Sequence, residues 1–115
     1  MAQDSSLRFG DVVLVPFPFT DQSGIKKRPA VVVSSTGYNT SRHDVVIMAV
    51  TSQVRTPLAF GEAMVGDWQS AGLLKSSVLK PVFVTIEQGL VLRVMGQLSA
   101  ADTKTLRGVV SDVIG

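Results

Sequence analysis

Apolar residues recur along this chain in short blocks, and most of the blocks are too β-branched and too brief for helices. In "GDVVLVPFPF" the run 12–15 is β-branched and apolar, and Pro16 and Pro18 then remove ladder donors, which predicts a strand ending near Phe17. "TDQSGIKK" carries turn chemistry in Asp21, Ser23 and Gly24 and reads as a loop. A second strand is expected over 29–34, with Pro29 tolerated at its first position, and the polar stretch "STGYNTSRHD" reads as another loop. "VVIMAVT", 45–51, is apolar on both faces, as a covered central strand would be. A connection containing Pro57 follows, then a short strand over 63–65 and one helical turn in "GDWQSAGL". "SVLKPVFVTI" and "LVLRVMGQL" read as two further strands separated by 87–89, the former interrupted by Pro81. Leu106, Val109, Val110 and Val113 share one helical face, predicting a helix over about 100–113. Ser99 and Asp102 stand at capping-box spacing before it. With no internal repeat or linker, the pattern predicts one α+β domain: a mostly antiparallel, barrel-like sheet closed by a C-terminal helix.

Composition narrows this little further. The 115 residues suit a single domain over 1–115, with 1–9 expected to be a loose N-terminal segment. The formal net charge of +2 is too weak to imply a nucleic-acid partner; its placement says more, because Lys26, Lys27 and Arg28 sit together at the start of a strand. Cysteine is absent, which excludes disulfides and thiolate chemistry. No signal-peptide core or membrane-length apolar run is present, so a cytoplasmic protein without membrane association is expected.

Several chemistries lack their residues. One histidine and no cysteine make a metal site unexpected, and the single His43, in a polar loop, reads as a surface residue. No G-x-S-x-G elbow, P-loop or dinucleotide fingerprint occurs, so no cofactor is expected. Arg28 and Thr51 remain. If strands 29–34 and 44–51 are antiparallel neighbours, the start of one lies beside the end of the other, bringing Arg28 to Thr51 with Ser52 and Gln53 close by. A guanidinium beside a hydroxyl is a receptor for phosphate oxygens. Taken singly, Arg-Pro before a strand is ordinary punctuation, and a strand-end threonine often bonds only to backbone.

Five stretches in order, "GDVVLVPFPFTD", "KKRPAVVVSS", "VVIMAVTSQ", "WQSAGLLKSSVL" and "MGQLS", give the chain a resemblance to the MazF/PemK family of type II toxins, from about residue 10 to the end. The resemblance implies a small SH3-like, CcdB-like antiparallel barrel and a homodimer. It also implies metal-independent, sequence-specific cleavage of single-stranded mRNA, inhibition by a cognate antitoxin, and DNA binding by the toxin–antitoxin complex. The family's catalytic arginine and threonine fall on Arg28 and Thr51. A loop glutamate found in some members is replaced at the comparable place by Ser23, leaving Asp21 as the nearest candidate acid or base.

RNA supplies its own nucleophile in the ribose 2′-hydroxyl. Its attack leaves a 2′,3′-cyclic phosphate and a 5′-hydroxyl. Arg28 and Thr51 are the expected donors to the developing charge, since a guanidinium is a poor proton acceptor. Lys26 and Lys27 are candidate backbone-phosphate contacts, with Ser52, Gln53 and Arg55 along the RNA path. Trp68 suits base stacking but fits a packed position better, and Lys75 and Ser77 match a segment near the groove without an assigned role. The rival readings are a non-catalytic relative of the same fold, such as a CcdB-like gyrase poison, and an inactive binding domain.

Overall fold

A computed structural model of the protein describes residues 6–17 and 26–115. In chain order it contains β1 (Asp11–Phe17), β2 (Lys26–Val32), α1 (Thr36–Ser41), β3 (Asp44–Thr51), β4 (Ala63–Met64), β5 (Val78–Glu87), a 3-10 turn (Gln88–Leu90), β6 (Arg93–Gln97) and α2 (Ala100–Ile114). The strands form one curled sheet in the order β4-β5-β3-β2-β1-β6, antiparallel at each pairing. This is the α+β, barrel-like architecture expected from the pattern. Among the described residues no helix is long and apolar enough to cross a membrane.

The valine-rich runs bury both of their faces. Val12, Val31, Met48 and Val50 join Leu98, Leu106 and Val109 in one cluster. Their alternates Val13, Val15, Ala30, Val32 and Ile47 pack with Leu7 in another. Each such side chain contributes about 1.5–3 kcal/mol on full burial, so the three central strands anchor the molecule. Of the stretch 1–9, residues 1–5 lie outside the described residues, while Leu7 is buried and its carbonyl accepts a 2.7 Å bond from Asn39 Nδ2.

The free ends of the sheet are bridged by the loop 66–74 rather than by a ladder. Gly72 adopts φ +87°, and a Cβ there would lie 2.2 Å from the Met95 carbonyl oxygen; one on Gly96 would lie 2.4 Å from that of Ala71. Two glycines thus let two backbones touch. The expected helical turn in this loop is a single one, Ala71 N–H to Asp67 O at 3.2 Å, followed by a wider turn closed by Leu73 N–H to Trp68 O at 3.0 Å.

Other local expectations change for identifiable reasons. Residues 36–41, expected as loop, form α1: Ser35 Oγ accepts from Tyr38 N–H, and Asn39, a poor helix former, is held by Ser34 and Leu7. Pro81 interrupts its ladder as expected, but the strand continues through it: the β3–β5 register shifts between Met48 and Ala49, passing from Phe83 to Lys80 and leaving Pro81 in a bulge. The 3-10 turn consumes the start of the next run, so β6 begins at Arg93. The α2 cap is only half a capping box. Ser99 Oγ accepts from Asp102 N–H at 3.1 Å, but the Asp102 carboxylate accepts from Gly66 N–H at 3.0 Å and Asp67 N–H at 2.8 Å. It ties loop 66–74 to the helix.

Candidate functional site

Consecutive antiparallel strands bring the start of β2 to the end of β3. Ala30, Val31 and Val32 pair with Ala49, Met48 and Ile47, and continuing that register by two residues sets Arg28 level with Thr51. Both residues line a cavity of about 250 Å³ that also includes Lys27, Ser52, Lys75 and Ser77. Leu73, Leu74 and Met95 supply its apolar wall, which the bridging loop and β6 bring together.

Arg28 is half-buried, and its Nε is enclosed without a hydrogen-bond partner. No ion pair or hydrogen bond among the described residues engages its guanidinium. An enclosed charged donor without a partner costs about 1–3 kcal/mol or more, and such groups in native structures call for a functional explanation. Thr51 Oγ accepts the Gln53 backbone N–H at 3.1 Å, which holds the hydroxyl in place and leaves its own proton available to donate. A cation and an O–H donor therefore face one space enriched in lysine, an arrangement able to bind the non-bridging oxygens of a phosphodiester.

The remaining candidates divide. Lys27 and Ser52 line the same cavity as the pair; Gln53 and Arg55 line the neighbouring one. Lys26 is exposed and lines neither. Asp21, the candidate acid or base, lies outside the described residues. Trp68 packs against the core, and His43 is exposed beside Arg42 and Asp44, at the end of β3 remote from Thr51. Among the described residues no group of three metal-binding side chains occurs. Sequence reasoning gave no role to Leu73, Leu74 and Met95, although they stand within "WQSAGLLKSSVL" and "MGQLS", nor to Glu62 and Lys80 of the neighbouring cavity, which no local motif marks. Ser77, buried, donates to the Lys75 carbonyl at 2.8 Å and fixes the wall that carries Lys75.

The family described as PemK-like, MazF-like toxin of type II toxin–antitoxin system matches residues 8–114. No curated protein is significantly similar in sequence. Solved structures share the fold. A mycobacterial endoribonuclease in complex with its cognate antitoxin matches with a TM-score of 0.77 and 19% identity, over 96% of this chain and 96% of that one. A MazE–MazF structure from Deinococcus radiodurans gives 0.72 and 19%, over 97% and 98%. The Mycobacterium tuberculosis toxin MazF-mt6 gives 0.70 and 19%, over 90% and 95%.

Proposed function

Because the chain belongs to the PemK-like, MazF-like toxins of type II toxin–antitoxin systems, we propose that it is a metal-independent endoribonuclease that cuts single-stranded RNA in the Arg28/Thr51 cavity. The observation that carries this reading is the enclosed, unpartnered guanidinium nitrogen of Arg28 on a side chain that shares its cavity with a positioned hydroxyl.

In this reading the ribose 2′-oxygen attacks the adjacent phosphorus and the bond to the 5′-oxygen breaks. The products are a 2′,3′-cyclic phosphate and a 5′-hydroxyl, the proton lost by the 2′-hydroxyl being balanced by the one the 5′-oxygen gains. Negative charge grows on the non-bridging oxygens, where Arg28 donates and Thr51 O–H adds a second bond; both are in place before reaction, which makes such donors effective. Among the described residues lining this cavity none is a carboxylate or histidine, and Arg28 and Thr51 act by charge stabilisation. Lys27 and Lys75 flank the pair and suit the neighbouring backbone phosphates. A cognate antitoxin and a second copy of the chain are the proposed partners. Leu74, 85% exposed and lining this cavity, and Phe60, 78% exposed, are apolar surface of the kind partners cover.

The test is incubation with an unstructured RNA in EDTA, with the new ends identified chemically. Wild type yields cyclic-phosphate ends. Arg28→Ala and Thr51→Val lose on the order of 10²–10³ in rate while far-UV circular dichroism stays unchanged, and Thr51→Ser, which keeps the hydroxyl, retains most activity. Intact RNA with wild type, or full activity in Arg28→Ala, overturns the reading.

A further inference from the structure

Thr51 borders a second cavity, of about 290 Å³, lined also by Gln53, Arg55, Glu62 and Lys80. Glu62 is the one carboxylate among the described residues lining either cavity. A phosphate placed directly against the Glu62 carboxylate would meet like charge, so that face of the cavity suits a group carrying hydrogen-bond donors, although Arg55 and Lys80 also line the space. What a nucleotide offers beyond its phosphate and sugar is a base edge.

Glu62 is held by its own turn. Its backbone N–H donates to the Ala59 carbonyl at 3.1 Å, and the Ala59 N–H donates to Glu62 Oε1 at 2.8 Å. The turn is seated on the scaffold at Gly61, which has φ +87° and where a Cβ would lie 2.9 Å from Val113 Cγ2 and 3.3 Å from Pro81 Cγ. Among the described residues Oε2 has no hydrogen bond, and neither Arg55 nor Lys80 forms an ion pair with the carboxylate. A fixed acceptor edge therefore stands open in a cavity that shares Thr51 with the proposed phosphate site.

On the reading that the first cavity cleaves RNA, we infer that the second is a nucleobase subsite in which Glu62 selects guanine beside the scissile bond. Single-stranded RNA is read on the Watson–Crick edges of splayed bases. A carboxylate only accepts hydrogen bonds, on two parallel oxygens. Guanine presents two adjacent donors, N1–H and N2–H, and matches it. Adenine and cytosine set a ring-nitrogen acceptor beside their amino group, and uracil flanks its single N–H with two carbonyls; each brings a lone pair against the carboxylate. Gln53 and Arg55, in the same cavity, supply donors for guanine O6.

The experiment cleaves a random-sequence RNA library in EDTA and sequences the new 5′-hydroxyl ends, for the full chain and for Glu62→Gln. Glutamine keeps an oxygen for the Ala59 N–H, so the turn persists, while its amide group opposes guanine's donors. Wild type is expected to show guanine at a position flanking the cut, and Glu62→Gln to lose that preference by about 10- to 100-fold while still cleaving other sequences. An unaltered preference in the variant, or no guanine preference in wild type, overturns the proposal. A uniform rate loss at unchanged preference also overturns it, making Glu62 a proton-transfer or turn-closing group. If wild type leaves the library intact, the ribonuclease reading has failed. Capture of a 2′-O-methyl random RNA then decides the subsite alone: guanine enrichment that Glu62→Gln abolishes supports it, and no enrichment overturns it.

Discussion

Replacing Asp102 with alanine removes the carboxylate whose hydrogen bonds tie the bridging loop to α2. The residue is 7% exposed, and its carboxylate receives the Gly66 and Asp67 N–H groups at 3.0 and 2.8 Å. Hydrogen bonds to a charged acceptor are each worth about 1.5–3 kcal/mol net. Gly66 and Asp67 are exposed, so water recovers part of what their amides lose, and the low end applies: about 3 kcal/mol for the two. Losing an acid from the first turn of a helix adds about 0.3–1 kcal/mol. The expected cost of Asp102→Ala is therefore about 3–4 kcal/mol, a large share of the 5–15 kcal/mol typical of a domain. With a urea m-value of about 1–3 kcal/mol/M, the unfolding midpoint falls by about 1–4 M at unchanged m. Asp102→Asn, which turns an amide N–H toward a backbone donor, behaves nearly as badly. Ser99→Ala, which removes only the cap, costs about 1 kcal/mol. A midpoint for Asp102→Ala within the range of Ser99→Ala refutes the reasoning and reduces Asp102 to a cap partner. Because the tied loop continues into Leu73, Leu74 and Lys75, the same variant loosens a wall of the first cavity.

Gly72→Ala forces an L-residue to φ +87°, worth about 1–2 kcal/mol, and sets its Cβ against the Met95 carbonyl, a backbone atom that cannot swing aside. Its melting temperature drops, whereas Gly89→Ala, whose Cβ meets nothing within 4 Å, changes stability by less than about 0.5 kcal/mol; equal melting temperatures for the two variants would refute the account of loop closure. Removing Lys27 and Lys75 together lowers the salt dependence of single-stranded RNA binding by about 1.4 in the log–log slope, about 0.7 for each phosphate no longer neutralised, and leaves the cleavage sequence unaltered; an unchanged slope shows that neither lysine touches the backbone.

Short-range regularity made much of the molecule legible. Runs such as 12–15 and 45–51 are buried on both faces because they occupy the middle of a covered sheet, and the spacing of Leu106, Val109 and Val110 is the face α2 presents to the core. The placement of Arg28 and Thr51 beside one cavity followed from two strands consecutive in the sheet, because antiparallel pairing sets the start of one against the end of the next, whatever the connection between them, here the one that carries α1. Helix α1 was hidden because its Gly, Asn, Thr and Ser residues carry little helical propensity and a buried asparagine holds it from outside. Pro81 marked an interruption, but that it is taken up as a bulge opposite Met48 and Ala49, with the strand continuing beyond, shows only in the pairing with β3.

What the sequence determined by itself is the list of elements whose signals repeat within a few residues, and with it the meeting of the guanidinium and the hydroxyl. Tertiary structure alone decided what those two groups share. Asp102 reaches Gly66 and Asp67 across 36 and 35 positions, and the loop so held brings Leu73 and Lys75 into one wall with Met95. Glu62 and Lys80 reach Thr51 through the curl of β5 against β3 and a turn seated on Val113. Periodicity encodes which face of an element is apolar. It carries no information on how a sheet curls or which distant loop closes it, because those are set by close packing among residues far apart along the chain.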